Sequence, residues 1–363
     1  MTGALSCVSG RAAARRVQHQ PVKTANDRRK MTQKTKTPRI GLVGAGGISH
    51  QHLPHLLNLG ADVYVYSQEG ASALVAQYGG TAVDSLDELF EKVDYVDIAT
   101  PTHTHADLIR KALEAGKDVI SEKPLTRTDA EAAEIVALAQ KLGRKLYPGH
   151  VVRFFPEYVR LFEAVAKGTL GDLAVLRFSR SGAFPTRTPW FADRELSGGL
   201  IMDQMIHDLD TARWIAGEIT NVSAVSFRTG TSYEPVEAAH VLLTHASGAI
   251  SHVAGLWGPK HIRFTTEYSV TGTKGSLQHS SASELNYLAD LAAPTTGGEL
   301  VPDSDPAESP YFLEIREFVQ SFLSDDEPRV SMHDGAEAVR IANAALLSLE
   351  TGQPVELLTT SGK

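Results

Sequence analysis

Hydrophobic and polar positions divide the chain into two textures. From Arg39 to about His150, short apolar runs alternate with stretches of helical period. RIGLVG (Arg39–Gly44), ADVYVYS (Ala61–Ser67), VDYVDIATP (Val93–Pro101), DVISEKP (Asp118–Pro124) and RKLYPGH (Arg144–His150) each read as a strand. Between them the pattern predicts helices: one running to Leu59, one over Ala71–Tyr78, and the amphipathic ADLIRKALEAGK (Ala106–Lys117), which Gly116 closes. Thr128 with Glu131 three residues on forms a capping box that opens a further helix, ended by Gly143. Buried strands alternating with helices predict an α/β domain built on a parallel, doubly wound sheet.

Beyond residue 150 the period changes. LAVLRFSRS (Leu173–Ser181), NVSAVSFRT (Asn221–Thr229), EAAHVLLTHASGAISHVAGLW (Glu237–Trp257) and RFTTEYSVTGTKGSLQH (Arg263–His279) alternate with a two-residue period and turn at glycines. They predict an open, largely antiparallel sheet. TTGGEL and DSDPAESP read as loops, and helices near Tyr311–Leu323 and Asp334–Leu349 close an α+β domain. The expected division is a disordered tail over 1–38, a doubly wound α/β domain over 39–150 and an α+β domain over 151–363.

Composition narrows the class. At 363 residues, 42% hydrophobic and 21% charged, the chain has the size and balance of a soluble two-domain protein. No run of about 18 apolar residues offers a membrane span. The single cysteine, Cys7, lies in the tail, so the folded part has no disulfide framework, cysteine zinc site or thiol nucleophile, and the expected setting is the reducing cytoplasm. The net charge of −8 conceals nine Lys or Arg against one acid in residues 1–38. The body is therefore acidic, which argues against nucleic acid as a partner. The tail lacks the apolar segment of a secretory signal and reads as an extension, with Met31 a candidate start of translation.

Three stretches carry candidate chemistry. GAGGIS (Gly44–Ser49) follows the first strand and opens a helix, where backbone N–H groups and the helix N-terminus approach a pyrophosphate. Gly44 and Gly46 fill the first two fingerprint positions; Ser49 replaces the third glycine. At the end of the second strand, where an acid commonly binds ribose, stands Ser67, followed by Gln68 and Glu69. A serine leaves room for a 2′-phosphate, which tilts towards NADP, but no Lys or Arg follows and Glu69 could take the ribose of NAD. The cofactor reads as NAD or NADP. SEKPL (Ser121–Leu125) ends a parallel strand, the edge at which open α/β sheets bind ligands. Finally, SGGLIMDQMIHDLD (Ser197–Asp210) places Asp203, His207 and Asp210 on one stripe of an otherwise apolar helix. A satisfied hydrogen-bonded turn, a metal site and an acid–base pair are all compatible with it.

RIGLVGAGGISHQH, ATPTHTHADLIRKALEAGKDVISEKPL and SGGLIMDQMIHDLD together resemble the Gfo/Idh/MocA family, named for glucose–fructose oxidoreductase and inositol dehydrogenase. The similarity runs from Arg39 to about Leu357, and GTKGSL (Gly272–Leu277) belongs to it. It implies an N-terminal Rossmann domain and a C-terminal open sheet through which homodimers or homotetramers form. It implies a catalytic set of Lys123, Asp203 and His207, and cofactor contacts from Gly44, Gly46, Gly47, Ile48, Thr100, Pro101, His105, Glu122 and Lys123, to which the strand end adds Ser67. Arg153 and Phe154 stand where the family lines its cleft. Trp190, just before the active helix, is a candidate substrate contact alongside Lys123, Arg153, Asp203 and His207. Met205 stands where a glycine is common, which would reshape the pocket. The expected activity is hydride transfer between NAD(P) and a sugar, sugar acid or cyclitol, with His207 suited to take the hydroxyl proton, Asp203 to hold that ring or a neighbouring hydroxyl, and Lys123 to steady the oxygen; either His207 or Lys123 is the formal base. No metal is needed; Asp210 and His150 are marginal ligand candidates. The other histidines (His50, His52, His240, His245, His252, His261) read as surface or structural. A regulator that senses NAD(P) and sugar, or glycoside cleavage through transient oxidation by tightly held NAD, are the competing readings.

Overall fold

A computed structural model describes residues 37–186, 188–231, 235–282, 287–291 (backbone only), 308–324 and 326–357. The basic tail to Lys36 with Cys7, the TTGGEL loop and most of DSDPAESP lie outside the described residues. The first sheet comprises β1 (Arg39–Val43), β2 (Asp62–Tyr66), β3 (Thr81–Ala82), β4 (Tyr95–Ile98), β5 (Asp118–Glu122) and β6 (Leu146–Gly149). All are parallel, in the order β3-β2-β1-β4-β5-β6. Ile40, Leu42, Val65, Ile98 and Val119 are fully buried, as strands covered on both faces must be. The order reverses between β1 and β4, and a crevice opens at their carboxyl ends.

The intervening helices are α1 (Ser49–Asn58), α2 (Ala71–Tyr78), α3 (Leu86–Lys92), α4 (His105–Glu114) and α5 (Asp129–Leu142). The Thr128–Glu131 box forms as expected at the start of α5, and Gly143 ends that helix with φ +62°. The seven-residue α3, too short for a periodic signal, starts at Ser85, whose side chain accepts from the Glu88 N–H.

After α6 (Pro156–Ala166), the second sheet begins with β7 (Leu173–Ala183). A short α7 (Arg194–Ser197), a π-helical stretch (Ile201–Met205) and α8 (Ile206–Ala216) follow. Then come β8 (Ile219–Gly230), β9 (Pro235–His245), β10 (Ile250–Gly258), β11 (Thr265–Gly272), β12 (Gly275–Ser280) and β13 (Tyr287–Leu291). With the terminal β14 (Val355–Glu356) they run β13-β12-β11-β7-β10-β9-β8-β14, antiparallel throughout except β7 beside β10. Helix α8 and α10 (Met332–Thr351) pack on this sheet, while Val225, Phe227, Leu242 and Ile250 project from it, each about half exposed or more.

Of the last two helices, the earlier one reaches back to the first sheet. Helix α9 (Pro310–Leu323) lies against α1 rather than on the second sheet. Phe318 and Phe322 stack on Tyr147 of β6 at 5.4 and 5.0 Å, and Phe322 stacks on Tyr95 of β4 at 4.7 Å. Ile315 and Phe318 are fully buried there, each worth about 1.5–3 kcal/mol of apolar burial. A parallel sheet needs both faces covered, so the chain returns from the second domain to close the first. No helix among the described residues is long and apolar enough to cross a membrane.

Candidate active site

Strand β5 delivers Glu122 and then Lys123, whose bond to Pro124 is cis. The Lys123 ammonium donates to the Asp203 carbonyl at 2.7 Å and to Asp203 Oδ1 at 3.1 Å, across 80 residues of chain. Both side chains are about one-sixth exposed, so the pair is only partly shielded. His207 faces the same cavity, of about 480 Å³, together with Tyr158, Arg180 and Tyr311. Burial, then the positive charges of Lys123 and Arg180, then His150, push the His207 imidazole well below its ordinary pKa of 6.5. It is therefore a neutral ring at neutral pH, the form that accepts a proton. Its Nδ1 is buried without a hydrogen-bond partner.

Asp203 does not hold that ring, although it precedes it by four residues. Residues 201–205 are π-helical, so the i→i+5 ladder widens the turn and the Asp203 carboxylate goes to Lys123 instead. The other two aspartates of the segment are also committed. Asp208 grips Arg180 through Oδ2–Nε (2.9 Å) and Oδ1–Nη2 (2.8 Å). Asp210 grips Arg153 in the same way, at 2.8 and 2.6 Å.

The crevice at β1 and β4 is a groove of about 1300 Å³. Gly44, Gly46, Gly47, Ile48, Ser67, Thr100 and Pro101 all line it, with Gln68 beside Ser67. Gly44 has φ +115°, and a Cβ there would come within 2.3 Å of the Ala99 carbonyl oxygen, so the first glycine is imposed by β1 closing on β4. At Gly46 and Gly47 a Cβ would meet no protein atom within 4 Å. That open space over the start of α1 suits the backbone-close approach of a pyrophosphate, and the residues present fit a dinucleotide.

Residues 38–150 match the family described as an oxidoreductase family with an NAD-binding Rossmann fold, and residues 158–278 match the GFO/IDH/MocA C-terminal domain. A D-xylose 1-dehydrogenase (NADP(+)) of Haloferax volcanii is 30% identical over 297 residues, covering 79% of this chain and 88% of that one. The chain belongs to the GFO/IDH/MocA oxidoreductase family. A myo-inositol 2-dehydrogenase of Thermotoga maritima is 29% identical over 337 residues, 88% of this chain and 98% of its own. The crystal structure of GenD2 from gentamicin A biosynthesis, in complex with NAD, shares the fold with a TM-score of 0.77 at 24% identity, covering 90% of this chain and 98% of that one.

Several residues expected at the family's site stand elsewhere. Arg153 is 2% exposed and does not line the cavity; Asp210, Asp334 (3.2 Å) and the Arg329 carbonyl (3.1 Å) take its donors. Phe154 packs edge-on against Phe318 under α9. Trp190 lines the dinucleotide groove rather than the cavity, stacked on Phe191 at 3.9 Å and 6.3 Å from the His103 ring. Met205 is fully buried and does not shape the pocket, because it points at β10, where Gly255 has no side chain to meet it. His150 is buried 3.7 Å from Asp210.

His105 and Glu122 act from behind the groove wall. The ring nitrogens of His105 lie 2.7 Å from the Pro124 carbonyl and 2.8 Å from that of Thr100, tying the lysine's corner to the groove. Glu122 accepts from the Lys123 N–H at 3.1 Å and contacts His52 Nε2 at 3.0 Å, while His52 Nδ1 meets Asp97 at 2.8 Å. Burial opposes charge on His52, yet Asp97 and Glu122 together hold it well above 6.5, as a buried imidazolium. Among the cavity residues, Arg180 had a legible signal: in the alternation of β7 it shares the inward phase with Leu176 and Phe178, an odd place for an arginine. Tyr158 and Tyr311, from α6 and α9, had none.

Proposed function

We propose that the protein transfers hydride between a nicotinamide dinucleotide and a carbinol or carbonyl of a small polyhydroxylated molecule, in the class of sugars, sugar acids and cyclitols. The observation that carries this reading is the meeting of Lys123, Asp203 and His207 in one cavity, at the carboxyl edge of the sheet that forms the dinucleotide groove. Bound in that groove, the dinucleotide supplies a two-electron hydride acceptor. The protein's own groups handle the proton and the oxygen. Neutral His207 accepts the hydroxyl proton, and Lys123 donates to the substrate oxygen as negative charge grows on it. Asp203 keeps the ammonium aimed and leaves its second oxygen for a neighbouring hydroxyl. The names of the D-xylose and myo-inositol dehydrogenases support the substrate class.

NAD rather than NADP is the proposed cofactor. The loop Ser67–Gly70 after β2 carries no cation and includes Glu69, which would repel a 2′-phosphate. Of the two lysines that line the groove, Lys111 is held by Asp107 at 2.8 Å, and Lys260 comes from the turn after β10. The apolar projections of the second sheet support self-association of the chain through that face, which sedimentation would measure.

The test is a screen of NAD and NADP reduction against aldoses, aldonates, polyols and inositols, repeated with Lys123→Met and His207→Gln. Each substitution should lower kcat by about a hundredfold or more while calorimetric NAD affinity stays within about threefold. Unchanged kcat in either variant would withdraw the role given to that residue.

A further inference from the structure

Arg180 presents an open fork to the cavity. The residue is 4% exposed, and its guanidinium is held side-on by Asp208, which uses Nε–H and one Nη2–H. Of the three N–H groups that remain, the second on Nη2 has only the Tyr158 hydroxyl at 3.5 Å, the limit of a hydrogen bond, and the two on Nη1 have no acceptor among the described residues. Nη1 is nevertheless not sealed in, since the residue lines the same cavity as Lys123 and His207. The Phe264 ring lies 5.8 Å from its Cζ. A carboxylate behind the guanidinium fixes its plane and leaves the Nη1–Nη2 edge free, which is the geometry that takes a second carboxylate in bidentate fashion.

The cavity's other charged side chains are Lys123, Asp203 and Glu157. Asp203 is tied to Lys123, and Glu157 lies 3.9 Å from His279. We propose that the substrate is a hydroxy acid of the sugar-acid class, its carboxylate held end-on by Arg180 while a hydroxyl of the same molecule reaches Lys123 and His207. This rests on the dehydrogenase reading of the site and narrows its substrate. In the balanced reaction the carbinol carbon loses a hydride to NAD+, the hydroxyl loses its proton to His207 and then to solvent, and the products are an oxo acid, NADH and a proton. Arg180 is close enough to His207 to disfavour its protonation, so a bound carboxylate would also restore basicity to that ring.

The experiment compares matched pairs that differ only in a carboxylate, D-gluconate with D-glucitol and D-galactonate with galactitol, and adds myo-inositol. Wild-type turnover with NAD and calorimetric binding to the NADH-loaded protein are both measured. The acid of at least one pair should bind about tenfold tighter than its alditol and show a similarly higher kcat/KM. Arg180→Lys keeps a cation beside Asp208 but loses the planar fork, and should bring that ratio to about one, with a thermal melt to verify folding. Turnover of alditols or inositol with equal or greater efficiency than the acids would overturn the carboxylate assignment and leave the dehydrogenase reading standing. Neither turnover nor binding of any compound would overturn both.

Discussion

Arg153 offers a sharp discrimination between a substrate contact and a structural ion pair. Asp210→Asn keeps the side chain's shape and removes the charge that grips Arg153 at 2.6 and 2.8 Å, with both partners at most 2% exposed. Breaking a buried pair costs about 3–5 kcal/mol because a charge is left without its counterion. Asp334 stays 3.2 Å from Arg153 and asparagine keeps one acceptor, so the low end, about 3 kcal/mol, is expected. In a chain of this length each kcal/mol moves the midpoint by about 2 °C, giving a fall of about 6 °C by calorimetry. Arg153→Met should cost more, since it strands Asp210 in the core. The double variant Arg153→Met with Asp210→Leu removes both charges and should regain most of the loss, to within about 1–2 kcal/mol of wild type. Through all three, KM at low temperature should stay within about threefold, because Arg153 is walled off from the cavity. A variant with wild-type melting and a KM raised about tenfold or more would refute this and return Arg153 to the substrate.

The remaining predictions concern the proton, the phosphate loop and cofactor choice. Because burial, Lys123 and Arg180 depress His207 below 6.5, the acid limb of kcat/KM for oxidation should lie below pH 6.5, and a limb above that value that disappears in His207→Gln would contradict the environment described. The same depression makes His207 cost stability as pH falls below 6.5, where the unfolded ring takes a proton that the folded one refuses; melting of His207→Gln should accordingly depend less on pH in that window. Gly44→Ala forces a Cβ to 2.3 Å from the Ala99 carbonyl at φ +115° and should destabilise the protein by about 2 kcal/mol or more while weakening NAD, as melting and calorimetry will register. Ser67→Asp places a carboxylate at the ribose end of the groove; the ratio of NADP to NAD dissociation constants should rise about tenfold, and an unchanged ratio would mean that Ser67 does not face the ribose.

What the sequence determined by itself is whatever short-range physics governs. Strand and helix periods, the Thr128–Glu131 cap, the glycine at 143 and the two-residue alternation of the second sheet depend on residues a few positions apart, and each forms where its pattern stands. Shared motifs also located the lysine's corner and the Asp203–His207 segment, though as a grouping without atoms. Tertiary structure decided who meets whom. Asp203 sits one nominal turn before His207, but a π-helical step and a lysine 80 residues away turn it from the ring. Met205 could not be assigned to pocket or core until Gly255 appeared opposite it, and α9 could not be given to the first sheet until Phe318 and Phe322 met Tyr147. The same holds for the three aspartates. A buried charge must find a counterion, but which one it finds depends on how the helices and sheets pack, and so the arginines that neutralise Asp208 and Asp210 come from β7 and from the turn after β6.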